Sequence, residues 1–356
     1  MFRGCTEQGI PLPFRRYTSP RSYNAGQYLP EFLMAFTVDS SKFKFSSDLA
    51  AGVKGKRVLI SGAGKDGGLG QSFALAAGLN GAESVAVHFH SSYDDGLDLV
   101  DFLKGQGVNA FPLQADVTNM GDLWATRTYV IDKMGGIPNL VICNSGLSEK
   151  GYSFGRSLRE VEGESVAMRR ARVRQAFIGN LAETRAVLDT KIDGFMAMTH
   201  LWSGEAVYAN EPLQIVYISS RQSIDPGASV PGYAVANWAV LQLPQVLAVN
   251  LGKAASLVTA YSVMYPFVRT GMTNEYAENP KVFGRWQPRM LETFEAAEAF
   301  MQLLAQPHDV TSGGMFEVMV ESEPAKGEKG VKVTWQQVKM NVSEEPLGTV
   351  SPLTFG

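Results

Sequence analysis

The sequence predicts an α/β protein built on a doubly wound parallel sheet, and three observations carry that prediction. Short apolar runs alternate with helical periodicity along most of the chain. The helices between them are about ten residues long, the length of a crossover joining parallel strands, so both faces of the sheet are covered. The first strand also runs into a glycine-rich turn that opens a helix, as where a strand end feeds a ligand-binding turn.

The elements follow in order. Arg57 to Ile60 is an apolar run closed by glycines, and Gln71 to Leu79 has helical spacing. Ser84 to His88 is a second strand, Leu97 to Gly105 a second helix, and Ala110 to Leu113 a third strand. Leu123 to Met134 is helical, and Asn139 to Cys143 is a strand whose Leu-Val-Ile centre marks burial on both faces. Val187 to Leu201 is helical, Gln214 to Ile218 a strand, Tyr233 to Leu251 a helix, and Ser256 to Met264 a strand. Phe316 to Val320 closes the series, and Val331 to Trp335 alternates as the return arm of a hairpin across the 325–330 turn. The organisation is therefore an N-terminal arm (1–52), a main domain (53–322) and a C-terminal extension (323–356). Within the domain an insertion at about 148–186 carries a charged, helix-like stretch from Arg156 to Leu181.

Composition narrows the class. Of 356 residues, 45% are apolar and 19% charged, the balance of a chain that buries a sizeable core. With 32 basic and 35 acidic residues the net charge is −3, so no global field would hold nucleic acid or an anionic membrane. Two cysteines and four scattered histidines give neither a disulfide framework nor a zinc spacing, and no metal is expected. No apolar run reaches the ~18 residues of a membrane span, and Met1 to Arg16 lacks a leader's apolar core; the expectation is a cytoplasmic protein.

The turn after the first strand reads Ser61, Gly62, Ala63, Gly64, Lys65, Asp66, Gly67, Gly68, Leu69, Gly70. Glycine is needed where a backbone turns sharply and lets a pyrophosphate approach helix-terminal N–H groups, so the loop predicts a dinucleotide. The second strand ends at His88, Phe89, His90, Ser91 and Ser92 with no acid at its tip to hold the ribose hydroxyls. Ser91, Ser92 and Lys65 are then read as a 2′-phosphate site, which favours NADPH over NADH, or the serines serve only as caps of the next helix.

Ser220 and Tyr233 stand at a strand end and a helix start, with Pro231 and Gly232 just ahead of the tyrosine. From Lys54 to Glu321 the chain resembles the short-chain dehydrogenase/reductase family, and the expected fold is Rossmann-like. The glycine loop resembles the family's nucleotide loop in two registers: counted from Gly64 the spacing matches, and counted from Ser61 and Gly62 the loop is two residues longer. Asp116 and Val117 match the pair that contacts adenine; Asn144, Ser145 and Gly146 follow the fourth strand; Pro266, Val268 and Thr270 resemble the segment at the nicotinamide carboxamide. The family's Tyr-x-x-x-Lys has become Tyr233 with Asn237, and the helix position that normally carries Asn holds Lys191. That exchange resembles the ketoreductase domains of modular polyketide synthases and animal-type fatty acid synthases.

Ketone reduction needs a hydride and a proton for the developing alkoxide. A phenol with an ordinary pKa near 10 holds a proton at neutral pH, and a nearby ammonium lowers it toward the working range. Tyr233 is the expected acid, Ser220 the hydroxyl that orients the carbonyl oxygen, and Lys191 the cation that tunes Tyr233. The resemblance implies that Lys191 also contacts the nicotinamide ribose and that Asn237 positions Lys191 and a relay water. The substrate expected is a β-keto acyl thioester or polyketide-like ketone; the alternatives are a small free alcohol, sugar or steroid, or a nucleotide-binding scaffold without turnover. Arg169, Arg170, Arg172 and Arg174 in the insertion suit an acidic acyl carrier protein, or form a solvated face partly neutralised by nearby glutamates. A homo-oligomer is expected through the helix after Tyr233, where Pro244 should remove a hydrogen bond and bend the chain.

Overall fold

The computed structural model describes residues 38–150, 159–227, 230–279, 289–322 and 332–339. Its strands are β1 Arg57–Ile60, β2 Ser84–Phe89, β3 Ala110–Gln114, β4 Leu140–Cys143, β5 Leu213–Ser220, β6 Val258–Tyr265, β7 Met315–Ser322 and β8 Lys332–Val338. They form one eight-stranded sheet in the order β3-β2-β1-β4-β5-β6-β7-β8. The first seven strands are parallel, and β8 returns antiparallel beside β7 with Val318 opposite Trp335, the hairpin the alternation indicated. The chain winds outward from β1 to β3 and then outward the other way from β4, so the order reverses between β1 and β4.

The helices are α1 Ser47–Ala50, α2 Leu69–Leu79, α3 Tyr93–Gly105, α4 Met120–Met134, α5 Val166–Leu188, α6 Gly194–Ala209, α7 Pro231–Leu251, α8 Asn274–Ala277, α9 Thr293–Leu304 and α10 His308–Thr311. One sheet face packs Leu59, Val141, Cys143, Ile215 and Tyr217 against Val130 of α4, Phe195 and Trp202 of α6 and Val240 of α7. Beside α2 lies α9, whose Phe300 ring stacks 4.4 Å from that of Phe73. The central strands are buried throughout, and their sequences are apolar apart from Ser84 and His88 in β2.

Four differences from the sequence reading have physical causes. Helices α3 and α4 start before Leu97 and Leu123, because their first turns are mostly exposed and carry no apolar period. In α4 Asn119 caps the start by accepting from the N–H groups of Gly121 and Asp122 at 2.9 and 3.3 Å. The insertion helix begins at Val166, capped by Ser165, and runs into the next helix, so Arg156 to Leu181 is not its extent. Helix α9 was not anticipated: its buried face joins three alanines to Phe300, Met301, Leu303 and Leu304, and its capping box pairs two glutamates, Glu292 and Glu295. Residues 1–37 of the expected arm and most of the C-terminal extension lie outside the described residues.

Pro244 does not end α7, which continues to Leu251. Proline cannot bond to the carbonyl four residues back, that of Val240, and the Ser262 hydroxyl of β6 donates to it at 3.1 Å instead. With the turn that follows, residues Pro231–Ser256 are long and apolar enough to cross a membrane by length and composition, contrary to the expectation of no such run. The inner side of this helix, at Ala236, Asn237, Val240 and Leu241, is buried, and a core helix passes the same test.

Candidate active site

In a parallel sheet the carboxyl ends of β1, β4, β5 and β6 share one edge, and here that edge collects most of the nominated residues. The loop between β1 and α2 turns where no side chain would fit. Gly62 has φ +65°, and a Cβ there would lie 2.8 Å from the Ser145 Cα. A Cβ at Gly70 would meet the Gly62 carbonyl and come within 2.6 Å of the Asn144 amide nitrogen. The loop therefore closes between Gly62 and Gly70, which settles the register in favour of the longer loop. Gly68 occupies the N-cap of α2 without a side-chain acceptor, leaving first-turn N–H groups available to a phosphate.

Ser61 and Asn144, nominated for the cofactor, hold the loop together. The buried Ser61 hydroxyl accepts from the N–H groups of Asn144 and Ser145 at 2.9 and 3.0 Å. The Asn144 side chain donates to the carbonyls of Ser61 and Gly62 at 3.0 and 3.2 Å. The Lys65 ammonium donates to Asp95 of α3 at 3.0 Å. That carboxylate takes the Asp66 N–H too, at 3.2 Å, and so ties the lengthened part of the loop to α3. Ser92 stands at the N-cap of α3 but makes no capping bond, which leaves its hydroxyl uncommitted, as the phosphate reading requires. Exposed His90 lies 3.9 Å from Asp116, whose carboxylate is fixed by the N–H and hydroxyl of Thr118. Val117 packs on Gly194, where a Cβ would come within 2.7 Å of its Cγ2.

His88, which carried no role in the sequence reading, supports the loop from below. The Gly62 N–H donates to its Nδ1 at 3.3 Å, so the proton resides on Nε2, which is buried without a partner. Burial pushes the imidazole down to about 4, and the nearby Ala115 carbonyl offsets this only in part. Between that value and the ordinary 6.5 the unfolded chain binds more protons than the native one. Stability therefore falls as pH drops from about 6.5 to about 4, by roughly 3 kcal/mol in all. Urea denaturation across that range should show the loss in the native protein. It should be much smaller in His88→Asn, which keeps an acceptor but does not titrate; an equal loss in both would exclude His88 as the source.

Across the crevice, Ser220 closes β5, and its hydroxyl accepts from the Gln222 N–H at 3.2 Å. Tyr233 lies in the first turn of α7. That helix has no cap of its own, and the carboxylate of Glu149, from the loop after β4, accepts from the N–H groups of Gly232 and Tyr233 at 2.6 and 3.2 Å. Burial raises the Tyr233 phenol, while the Ser220 hydroxyl and the Asn237 side chain favour its ionised form and offset part of the rise. Asn237 is fully buried; its NH2 donates to the Tyr233 carbonyl at 2.8 Å, and its Oδ1 has no partner.

Lys191 sits in a π-helical turn, Asp189–Asp193, between α5 and α6. The wider turn breaks the helical period and sets Lys191 inward, 5% exposed, between two exposed aspartates. Its ammonium lies 4.8 Å from the centre of the Phe195 ring and close to Gly146, where a Cβ would be 3.5 Å away. Among the described residues no carboxylate pairs with it, and burial pushes it down to about 7. The adjacent Cys143 thiol is itself pushed up to about 12 by burial, so it stays protonated and offers no anion. The sequence reading had Lys191 lowering the Tyr233 phenol; in the structure Ser220 and Asn237 do so, and burial outweighs them. Lys191 instead faces the end of β4.

Beyond the sheet edge, the segment after β6 is held by a bridge between Val268 and Leu291 and by the Thr273 hydroxyl, which donates to the Val268 carbonyl at 2.5 Å. The Thr270 N–H donates to that same hydroxyl at 3.0 Å, which orders the stretch after Pro266. A Cβ at Gly271 would lie 3.7 Å from the Asp66 carbonyl, so this segment borders the glycine loop. The residues fit a dinucleotide: a side-chain-free cradle at Gly62 and Gly70, an uncapped helix start and, among the described residues, a buried ammonium without a carboxylate partner.

Comparison with known proteins agrees with this arrangement. The family model described as short chain dehydrogenase matches residues 56–281. Versicolorin reductase of Emericella nidulans is 28% identical over 171 residues, 48% of this chain and 60% of that one. A short chain dehydrogenase of Claviceps purpurea is 32% identical over 98 residues, 28% of this chain and 36% of the relative. The chain thus matches less than two thirds of the length of these curated relatives. Among solved structures, a 3-oxoacyl-(acyl-carrier protein) reductase of Brucella melitensis gives a TM-score of 0.59 at 21% identity, covering 82% of this chain and 96% of that one. A gluconate 5-dehydrogenase of Burkholderia cenocepacia, solved with NADP and tartrate, gives 0.57 at 15% identity, covering 78% and 96%. At those identities the two structures speak for the fold. The matched family model spans the glycine loop, Lys191, Ser220 and Tyr233, and the chain belongs to the short-chain dehydrogenase family of oxidoreductases.

Proposed function

We propose that the protein is an NADPH-dependent ketoreductase that converts a β-keto acyl thioester or related polyketide-like ketone to the secondary alcohol. The observation that carries this reading is the exchanged pair: a buried Lys191 without a carboxylate partner on one helix, and Asn237 one turn beyond Tyr233 on another. A site that had merely lost its lysine would have no reason to bury another in the neighbouring helical turn, because an ammonium out of water is costly. The nicotinamide, when bound, supplies the hydride. The glycine loop and the α2 start would hold its pyrophosphate, and Ser91, Ser92 and His90 its adenosine end.

The chain's own groups handle the proton. Tyr233, with its phenol raised by burial, keeps its proton until a developing oxyanion can take it. Ser220 and Asn237 then stabilise the phenolate left behind, and Ser220 also orients the ketone oxygen. Lys191 places a positive charge at the end of β4, where it favours negative charge developing in the crevice.

A carrier-bound substrate suits the insertion. Arg169 and Arg172 pair with Glu160 and Glu164, while Arg170 and Arg174 stand exposed beside Val166 and Val173 along an open groove of about 460 Å³. The test is turnover of a β-keto thioester panel, carrier-bound and as pantetheine esters, with NADPH and with NADH. Expected are a preference for NADPH and a KM for carrier-bound substrate that rises in Arg170→Glu/Arg174→Glu with kcat intact. Cofactor binding without turnover of any ketone would reject the reading. An unchanged KM would reject carrier docking alone.

A further inference from the structure

The proposed chemistry depends on where the Tyr233 phenol is held, and the start of α7 holds it by an unusual route. Val230 at the N-cap offers no side-chain acceptor, and Pro231 follows. A helix start leaves its first N–H groups unpaired unless something outside the helix takes them. Here the partner comes from 83 residues earlier in the chain. Oε1 of Glu149 accepts from the Gly232 N–H at 2.6 Å and the Thr184 hydroxyl at 3.3 Å, and Oε2 accepts from the Tyr233 N–H at 3.2 Å.

Glu149 is 8% exposed, and no lysine or arginine pairs with it among the described residues. A buried carboxylate without a counter-cation is costly unless its oxygens are well supplied with donors, and the positive end of a helix supplies them. Gly232 is also explained. A Cβ there would come within 2.5 Å of Glu149 Oε1 and 2.8 Å of Thr184 Cγ2, so only glycine leaves room for the carboxylate. The next residue reinforces the tie, since the Lys150 N–H donates to Glu183 of α5 at 3.2 Å.

We propose that Glu149 is a positioning residue for Tyr233: by binding the first N–H groups of α7 it sets the direction from which the phenol enters the crevice. Through Thr184 it also joins that setting to the inserted helix α5. This inference rests on the ketoreductase reading for its effect on rate, but the seat itself can be observed without any substrate.

The experiment compares Glu149→Ala and Glu149→Gln in the native and Tyr233→Phe backgrounds. Misplacement of a proton donor by about 1 Å costs up to about a hundredfold in rate. Glu149→Ala should therefore lower kcat by about tenfold to a hundredfold, with the KM for ketone and the Kd for NADPH within about threefold of the native values. Glu149→Gln keeps one acceptor oxygen and should fall between. In the Tyr233→Phe background Glu149→Ala should cost nothing further, because its whole effect passes through the missing hydroxyl. Amide hydrogen exchange at Gly232 and Tyr233 should accelerate in Glu149→Ala, with exchange in the central strands unchanged. A kcat within about twofold of native, or the same loss repeated in the Tyr233→Phe background, would overturn the proposal. If the native protein reduces no ketone, the functional reading fails and exchange decides the seat: accelerated exchange at the two amides supports it, and unchanged exchange overturns it.

Discussion

Tyr233→Phe lowers kcat for ketone reduction by about a thousandfold while leaving the Kd for NADPH unchanged, since a positioned general acid contributes 10²–10⁴-fold. The substitution removes one oxygen and nothing else. Ser220 keeps its bond from the Gln222 N–H, and Asn237 keeps its bond to the backbone carbonyl of residue 233, so the surrounding geometry survives. The glycine loop and α2 are untouched, which is why cofactor affinity should not move. Fluorescence titration with NADPH alongside steady-state kinetics separates the two quantities. A variant that retains more than about a tenth of the native rate would mean that another group or water delivers the proton.

Lys191→Ala carries the second large effect, a loss of about a hundredfold to a thousandfold in kcat, on the scale of removing one preorganised electrostatic group. Its pH dependence follows from burial. With the ammonium pushed down to about 7, the charged form is present below that pH and lost above it. If the charged form supports reduction, kcat/KM of the native protein declines as pH rises through about 7. The limb should vanish in Lys191→Ala, whose remaining rate comes from Tyr233 alone and stays flat until the phenol itself ionises, at higher pH than usual. A profile flat from pH 6 to 9 in the native protein would show that the charge on Lys191 is not what the reaction uses.

The strands could be located from the sequence because buried parallel strands are short, mostly apolar runs with no solvent face, as in β4 and in the Val-Ala-Val centre of β2. The first turns of α3 and α4 could not, since their exposed polar residues carry no period. Helix α9 was legible but missed: its alanines favour helix and its Phe300, Met301, Leu303 and Leu304 share a buried face, with a Glu292/Glu295 capping box at its start. Of the candidate site, Ser220, Tyr233, Asn237 and Lys191 were nominated from motifs that resemble those of the family, and the structure brings Ser220 and Asn237 to Tyr233. The partners supplied across the fold left no such trace. Glu149 meets α7 from 83 residues away, and Asp95 meets Lys65 from 30 away. The bracing role of Ser61 and Asn144 left no trace for the same reason: residues that brace a loop and residues that line it occupy the same stretch of sequence. The π turn that buries Lys191 was equally out of reach, because one widened turn changes a side chain's direction without changing its composition.

On the proposed mechanism Tyr233 delivers the proton while Lys191, from the neighbouring helical turn, supplies positive charge to the crevice. The most direct measurement is NADPH oxidation with the best β-keto acyl thioester, comparing the native protein with Lys191→Ala at pH 7. Steady turnover is expected in the first and a loss of at least about a hundredfold in the second, with NADPH still bound. Native-level turnover by Lys191→Ala would contradict it.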